Sequence, residues 1–131
     1  MTKLLLYIKL CAGFVISGVS YIVGGFDMLF TCLTTLMITD YITGVFAAIC
    51  NESLCSRTGF TGIIKKLCIF AVVAVATTMG QITGIDGVRD ITVSFYIANE
   101  GISILENLGK IGVPLPEKLK KVLSQLKEEE K

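Results

Sequence analysis

The sequence predicts an all-α membrane protein, with three to four transmembrane helices followed by a C-terminal amphipathic helix on the cytoplasmic side. Three observations carry that expectation. The 131-residue chain is 53% hydrophobic and 18% charged, against about 45–50% and about 25% in soluble domains. Its charges are unevenly spread: from Leu10 to Ile85 they are Asp27, Asp40, Glu52, Arg57, Lys65 and Lys66. The runs between them approach or reach the length of a membrane-spanning helix. Length allows one domain. Residues 1–109 form its membrane part, with spans at about 10–26, 28–50, 67–85 and 88–108, and residues 110–131 form a cytoplasmic tail. A membrane unit of this size leaves no room for a separate soluble enzyme.

Leu10–Phe26 holds 17 uncharged residues, the short end of the about 17–25 that span a bilayer. Lys3 and Lys9 precede it. A cleaved signal peptide starts the same way, but no clear small-x-small cleavage site follows and further apolar segments do. A short amphipathic surface helix is the stronger competitor. Met28–Cys50 is 23 residues long with one charge, Asp40. At 1.5 Å per residue it covers about 34 Å, against a hydrocarbon core of about 30 Å. Leu67–Ile85 holds 19 residues and no charge, and is the clearest span. Val88–Leu108 carries Arg89, Asp90, Glu100 and Glu106 and would not be taken as a span by itself.

Between the second and third runs, Asn51–Lys66 contains Ser53, Ser56, Thr58, Gly59 and Gly62, which mark turns. Ser56 is a candidate cap for a short interfacial helix leading into Lys65 and Lys66. Pro114 and Pro116 close the membrane region. Beyond them Leu119, Val122, Leu123 and Leu126 recur at i, i+3, i+4 and i+7, with Glu117, Lys118, Lys120 and Lys121 between. That pattern predicts an amphipathic helix starting near Pro116. Lys127–Lys131 is a short charged tail.

Charge bias sets the topology. Lysine and arginine collect on the cytoplasmic side of short loops. With four spans, one side holds Lys3, Lys9, Arg57, Lys65, Lys66 and every lysine from Lys110 on; the other holds Asp27, Asp86, Arg89 and Asp90. Four spans with both termini cytoplasmic therefore fit best, and three spans are the main rival.

The fourth segment carries the most informative pattern. Tyr96, Asn99, Glu100, Ser103, Glu106 and Asn107 fall at i, i+3, i+4, i+7, i+10 and i+11, one face of a helix. Arg89 and Thr92 continue the stripe upstream. Such a helix either lies on a bilayer or spans it with its polar face turned to protein or water. The six residues are candidates for pore lining or polar helix contact, together with Asp40. An ionised Asp40 near mid-membrane costs about 2.5–3.5 kcal/mol unless it is paired, protonated or wet. Hydroxyls such as those of Thr39 or Thr43 would satisfy it. Gly44 and Ala48 follow Asp40 on the same face, and Ala76, Gly80 and Gly84 form a second small-residue ridge; both are candidate helix-packing surfaces. Arg57, Lys65 and Lys66 are read as topology determinants.

Several function classes drop out. Net charge is +1, with no basic patch interleaved with aromatics, so nucleic acid is not a partner. The five cysteines, Cys11, Cys32, Cys50, Cys55 and Cys68, form no CxxC pair and there is no His. They read as reduced thiols behaving as small apolar residues, and no zinc site or other cofactor is expected. Glu100 and Glu106 have no nucleophile, metal-ligand set or phosphate loop beside them, so no enzyme is expected.

Asp40-Tyr41-Ile42-Thr43-Gly44, Gly62-Ile63-Ile64-Lys65-Lys66, the run from Phe95 to Asn107 and Gly112-Val113-Pro114-Leu115-Pro116 occur in an order that resembles the toxin secretion/phage lysis holin family. The most specific part is Asn99-Glu100-Gly101-Ile102-Ser103-Ile104-Leu105-Glu106-Asn107. The resemblance covers about Asp27 to Leu126. It implies a small protein of the bacterial cytoplasmic membrane that assembles into homo-oligomeric lesions. Through these an endolysin or a large toxin leaves the cell as cargo, without stable binding. It also implies no enzymatic activity and about three membrane segments, which puts the first segment in question. The residues alone leave two rivals: a small transporter or ion channel subunit with an intramembrane carboxylate site at Asp40 or Glu100, and a non-conducting scaffold.

Overall fold

Five α-helices follow one another in the computed structural model, which describes residues 1–129. They are α1 (Thr2–Ile22), α2 (Met28–Cys50), α3 (Ser56–Thr83), α4 (Val88–Ile111) and α5 (Glu117–Glu129). The protein is an all-α chain with three helices, α1, α2 and α3, long and apolar enough to cross a membrane. The less apolar α4 is not among these three. The short α5 closes the chain. Of the charged tail, Glu130 and Lys131 lie outside the described residues, as do the side chains of Leu123 and Leu126.

Helix α2 coincides with the expected second span. Asp27 caps it, accepting a hydrogen bond from the Phe30 N–H at 3.0 Å. Its threonines need no water. Thr31, Thr34, Thr35, Thr39 and Thr43 each donate to the carbonyl four residues earlier, at 2.8–2.9 Å. Such back-bonding lets a hydroxyl-rich helix sit in an apolar medium.

Other boundaries move. The first helix starts at Thr2 and stops at Ile22, eight residues earlier than the expected 10–26 segment at its start and four at its end. The third runs unbroken from Ser56, so the expected interfacial helix and the span are one element. Its N-cap is Cys55, and Ser56 is its first helical residue, with no side-chain cap bond. Gly59 and Gly62 do not make a turn. They lie under the ring of Tyr41, where a Cβ would stand 3.5 Å from the Tyr41 hydroxyl and 4.0 Å from Cε2. Gly84 is likewise no packing residue within the chain. It ends α3 in the left-handed region, at φ +67°, with open space where a Cβ would point. The fourth helix extends to Ile111 and ends on Gly112 at φ +97°.

Three helices build the bundle. Asp27 meets Arg89 at one end of the α2–α4 pair, and Asp40 meets Asn107 toward the other, so α2 and α4 run parallel. Helix α3 runs antiparallel to both, with Phe70 stacked on Phe30 and Lys66 beside Asp40. The apolar core is Val23, Phe30, Leu33, Met37, Val73 and Val93, with Phe70, Tyr96 and Ile97 packed against it. Helix α1 buries none of its residues. It joins the bundle at its C-terminal end, where Val23 is buried.

That junction is held by one side chain. Arg89 donates from Nε to the Val23 carbonyl at 2.7 Å and from one terminal nitrogen to the Gly25 carbonyl at 2.9 Å. It also forms a two-pronged pair with Asp27, at 2.7 and 3.0 Å, and bonds Asp90 at 3.0 Å. Gly24 lies against the Arg89 stem: a Cβ there would stand 2.7 Å from Cδ and Nε, and its φ is +80°. Both space and backbone therefore demand glycine. Gly24→Ala is expected to destabilise the protein by about 1–3 kcal/mol. Gly13→Ala, facing open space within α1, should be neutral or slightly stabilising; thermal unfolding in detergent micelles checks both.

The Arg89 guanidinium, aided by the Phe30 N–H, holds the Asp27 carboxyl below the usual carboxylate value. A lowered folded value means ionised Asp27 favours the folded state. That contribution is complete above about pH 4 and is lost as pH falls through the depressed value. Asp27 is about half exposed, its side chain 48% accessible, so the effect is small. Asp27→Asn should lower the melting temperature at pH 7 and flatten its decline below about pH 4.

Candidate functional site

Where α2, α3 and α4 meet, charge is buried. Lys66 Nζ lies 2.7 Å from Asp40 Oδ2 and also donates to Glu100 Oε2. Asn107 supports Asp40 from the other side: its amide nitrogen is 2.9 Å from Asp40 Oδ1, 3.2 Å from the Asp40 carbonyl and 3.2 Å from Thr43 Oγ1. Glu100 is only 4% exposed. Each helix contributes at least one member, so the cluster exists only in the assembled bundle. One ammonium meets two carboxyl groups. Burying ions in a medium of low dielectric is tolerable only with such direct pairing.

These partners differ from the expected ones. Thr39 and Thr43 do not donate to the Asp40 carboxylate: Thr39 bonds the Thr35 carbonyl, and Thr43 bonds the carbonyls of Thr39 and Asp40. Lys66, read as a topology residue, is the keystone of the cluster, whereas Arg57 and Lys65 are exposed. A signal for Lys66 existed. It abuts the longest uncharged run in the chain, where a lysine without an anion is costly. The carboxylates that answer it are 26 and 34 residues away, beyond the reach of any local pattern.

The polar stripe of α4 is divided by the fold. Glu100 and Asn107 turn into the cluster, and Ser103 lines an adjoining crevice. Tyr96 is half-buried against the core, its ring 5.2 Å from that of Phe95. Glu106 is half-buried, and Asn99 is exposed. The crevice, about 230 Å³, opens between α2 and the first half of α3 and is lined by Asp40, Gly44, Ala48, Gly59, Gly62 and Lys66 among others. Gly44 and Ala48 therefore border a space; a Cβ at Gly44 would sit 3.5 Å from the Asn107 amide, an ordinary contact. On the opposite side of Tyr41 a second crevice, about 270 Å³, is almost wholly apolar. Within the other ridge, Ala76 is buried and Gly80 packs on the α3–α4 turn, 3.3 Å from the Ile85 carbonyl at its Cβ position. Among the described residues no cluster of acidic, Cys or His side chains could hold a metal ion.

The cluster makes a stability prediction. Lys66→Met leaves Asp40 and Glu100 buried without a cation, at an expected cost of about 3–5 kcal/mol. Combining it with Asp40→Asn and Glu100→Gln removes the uncompensated charge and should recover most of the loss. Unfolding of the unmodified protein, the single variant and the triple variant in one detergent separates the outcomes; equal losses in the single and triple variants would mean that packing rather than charge is responsible.

The chain is similar to known proteins over most of its length. The family model described as the bacteriophage holin family matches residues 17–128. A probable holin of Bacillus phage phi105 is 46% identical over 85 residues, 64% of this chain and 63% of that protein. An uncharacterised 14.9 kDa protein of Clostridium perfringens, from the nagH 3′ region, is 42% identical over 109 residues, covering 82% and 83%. An uncharacterised Bacillus subtilis protein is 39% identical over 110 residues, covering 83% and 78%. No solved structure matches the chain.

Proposed function

The chain belongs to the bacteriophage holin family, and from that premise we propose that it oligomerises in the bacterial cytoplasmic membrane to form lesions that release an endolysin or a large toxin. It is a multi-pass membrane protein and not an enzyme. The observation that carries the proposal is the Lys66–Asp40–Glu100 cluster, buried where three helices meet, with two carboxyl groups on one ammonium. Such a cluster is stable while the bundle is closed. It favours rearrangement toward any arrangement that gives Glu100 water. A lesion shared by many copies supplies that water, lined by Glu100, Ser103, Asn107 and their neighbours.

The same geometry supports four crossings. Helix α4 lies parallel to α2, tied to its N-terminal cap through Asp27–Arg89 and to its middle through Asp40–Asn107, so a membrane that contains α2 contains most of α4. Its polar side chains Glu100 and Asn107 are then covered by protein. In this topology Arg57, Lys65 and the tail lysines are cytoplasmic, with both termini, and the Asp27–Arg89 end lies outside. Residues 110–131, including α5, form the cytoplasmic amphipathic tail.

A small ion channel or transporter with Asp40 or Glu100 as its site is the second reading, favoured by the crevice that borders both Asp40 and Lys66. The size of what passes separates the two. Inducible expression in bacteria should collapse the membrane potential and release a folded cytoplasmic reporter protein. Glu100→Leu leaves Lys66 and Asp40 as a neutral pair, so the chain should insert and accumulate normally while reporter release falls at least tenfold. Unchanged release from that variant would sink the role given to the cluster, and passage of small ions without the reporter would favour the channel.

A further inference from the structure

Asn99 and Glu100 are adjacent at the midpoint of α4, yet they meet different surroundings. Glu100 is buried on Lys66. Asn99 is exposed, and among the described residues its carboxamide has no hydrogen-bond partner. Helix α4 has 24 residues, about 36 Å at the α-helical rise, so its midpoint is as far from both membrane surfaces as the helix allows. A bare carboxamide facing hydrocarbon there leaves two donors and an acceptor unmet, which a membrane interior does not tolerate. Something covers it.

The surrounding face shows what fits. Ile91, Phe95 and Ala98 are exposed at i, i+4 and i+7, and half-buried Ile102 follows at i+11. This is a heptad seam, uncharged and with a small residue at its centre, the form of a helix that packs on another helix. The other small-residue ridges are used elsewhere: Gly44 and Ala48 border the crevice, Ala76 is buried and Gly80 meets the turn.

We propose that this face of α4 packs on the same face of a second copy, with Asn99 bonded to Asn99 across the interface. Copies inserted in one orientation carry Asn99 at one depth. A carboxamide both donates and accepts, so it complements itself about a two-fold axis along the membrane normal. Ala98 permits the close approach that such a bond needs. The inference rests on the membrane-crossing reading of α4, and it assigns the two polar neighbours opposite tasks: Glu100 within the chain, Asn99 between chains.

The test is disulfide crosslinking of the full-length protein in bacterial membranes. All five native cysteines are replaced by serine, and a single Ala98→Cys is oxidised with copper phenanthroline. A covalent dimer is expected, well above that from Val75→Cys, which places a thiol on the exposed face of α3. Adding Asn99→Leu should lower the dimer yield about three- to tenfold, the range for one interhelical hydrogen bond in a bilayer, while Asn99→Gln should retain most of it. A yield from Ala98→Cys no higher than from Val75→Cys overturns the proposal, as does a yield indifferent to Asn99→Leu. Crosslinking is read without lysis. An Asn99-dependent dimer in cells that release no reporter therefore upholds the interface and removes the lesion reading; release without that dimer does the reverse.

Discussion

The Lys66 ammonium, held between Asp40 and Glu100, is the interaction on which the bundle depends. In a low-dielectric interior each of these ions is costly alone and acceptable only in contact with the others. Satisfying all three requires α2, α3 and α4 to meet at one level, which sets their relative heights. Asn107 then completes Asp40 from α4, about two turns beyond Glu100, and ties α4 to α2 a second time. Apolar packing between these helices is modest: among the described residues Leu33, Val73 and Val93 are the largest side chains fully buried. Charge pairing, more than volume filling, selects the register.

Arg89 performs the matching task at the other end. It gathers the α1–α2 turn, the α2 cap and the start of α4 through one guanidinium whose planar fork suits two carbonyls and a carboxylate together. The two ionic centres therefore clamp α2 and α4 in parallel, while α3 returns antiparallel alongside them. Helix α1 lies beyond this clamp. It buries none of its residues along an apolar length and joins the bundle at its C-terminal end, so its cover must come from lipid or from other chains.

Much of this was legible in the residues. The limits of α2 follow from an apolar run bounded by a capping Asp and a loop, both local signals. The stripe on α4 was visible because helical periodicity is local too, and the family likeness was densest in the same residues. The errors share a cause. Gly59 and Gly62 read as turn residues because glycine is ambiguous in sequence; only the Tyr41 ring, arriving from another helix, gives them a packing role. Gly84 completed a small-residue ridge by spacing, yet the chain bends there. Thr39 and Thr43 flank Asp40 in sequence as candidate partners, but helical geometry directs their hydroxyls to the carbonyls four residues back. Lys65 and Lys66 look alike in sequence, yet successive helical residues point about 100° apart and so meet different environments.

By itself the sequence determined that the chain is helical and membrane-embedded, where its main helices lie, and that α4 carries polar residues along one face. Those properties follow from composition and period, which any stretch of helix carries within itself. Only the tertiary structure decided which polar groups are consumed inside the chain and which are left for a neighbour. Asn99 and Glu100 are adjacent in sequence and similar in pattern. Their fates diverge because a rotation of about 100° about the helix axis separates a face that meets Lys66 from one on which Asn99 has no hydrogen-bond partner among the described residues. Pairing across 34 residues is a property of three helices placed together, and no single helix records it.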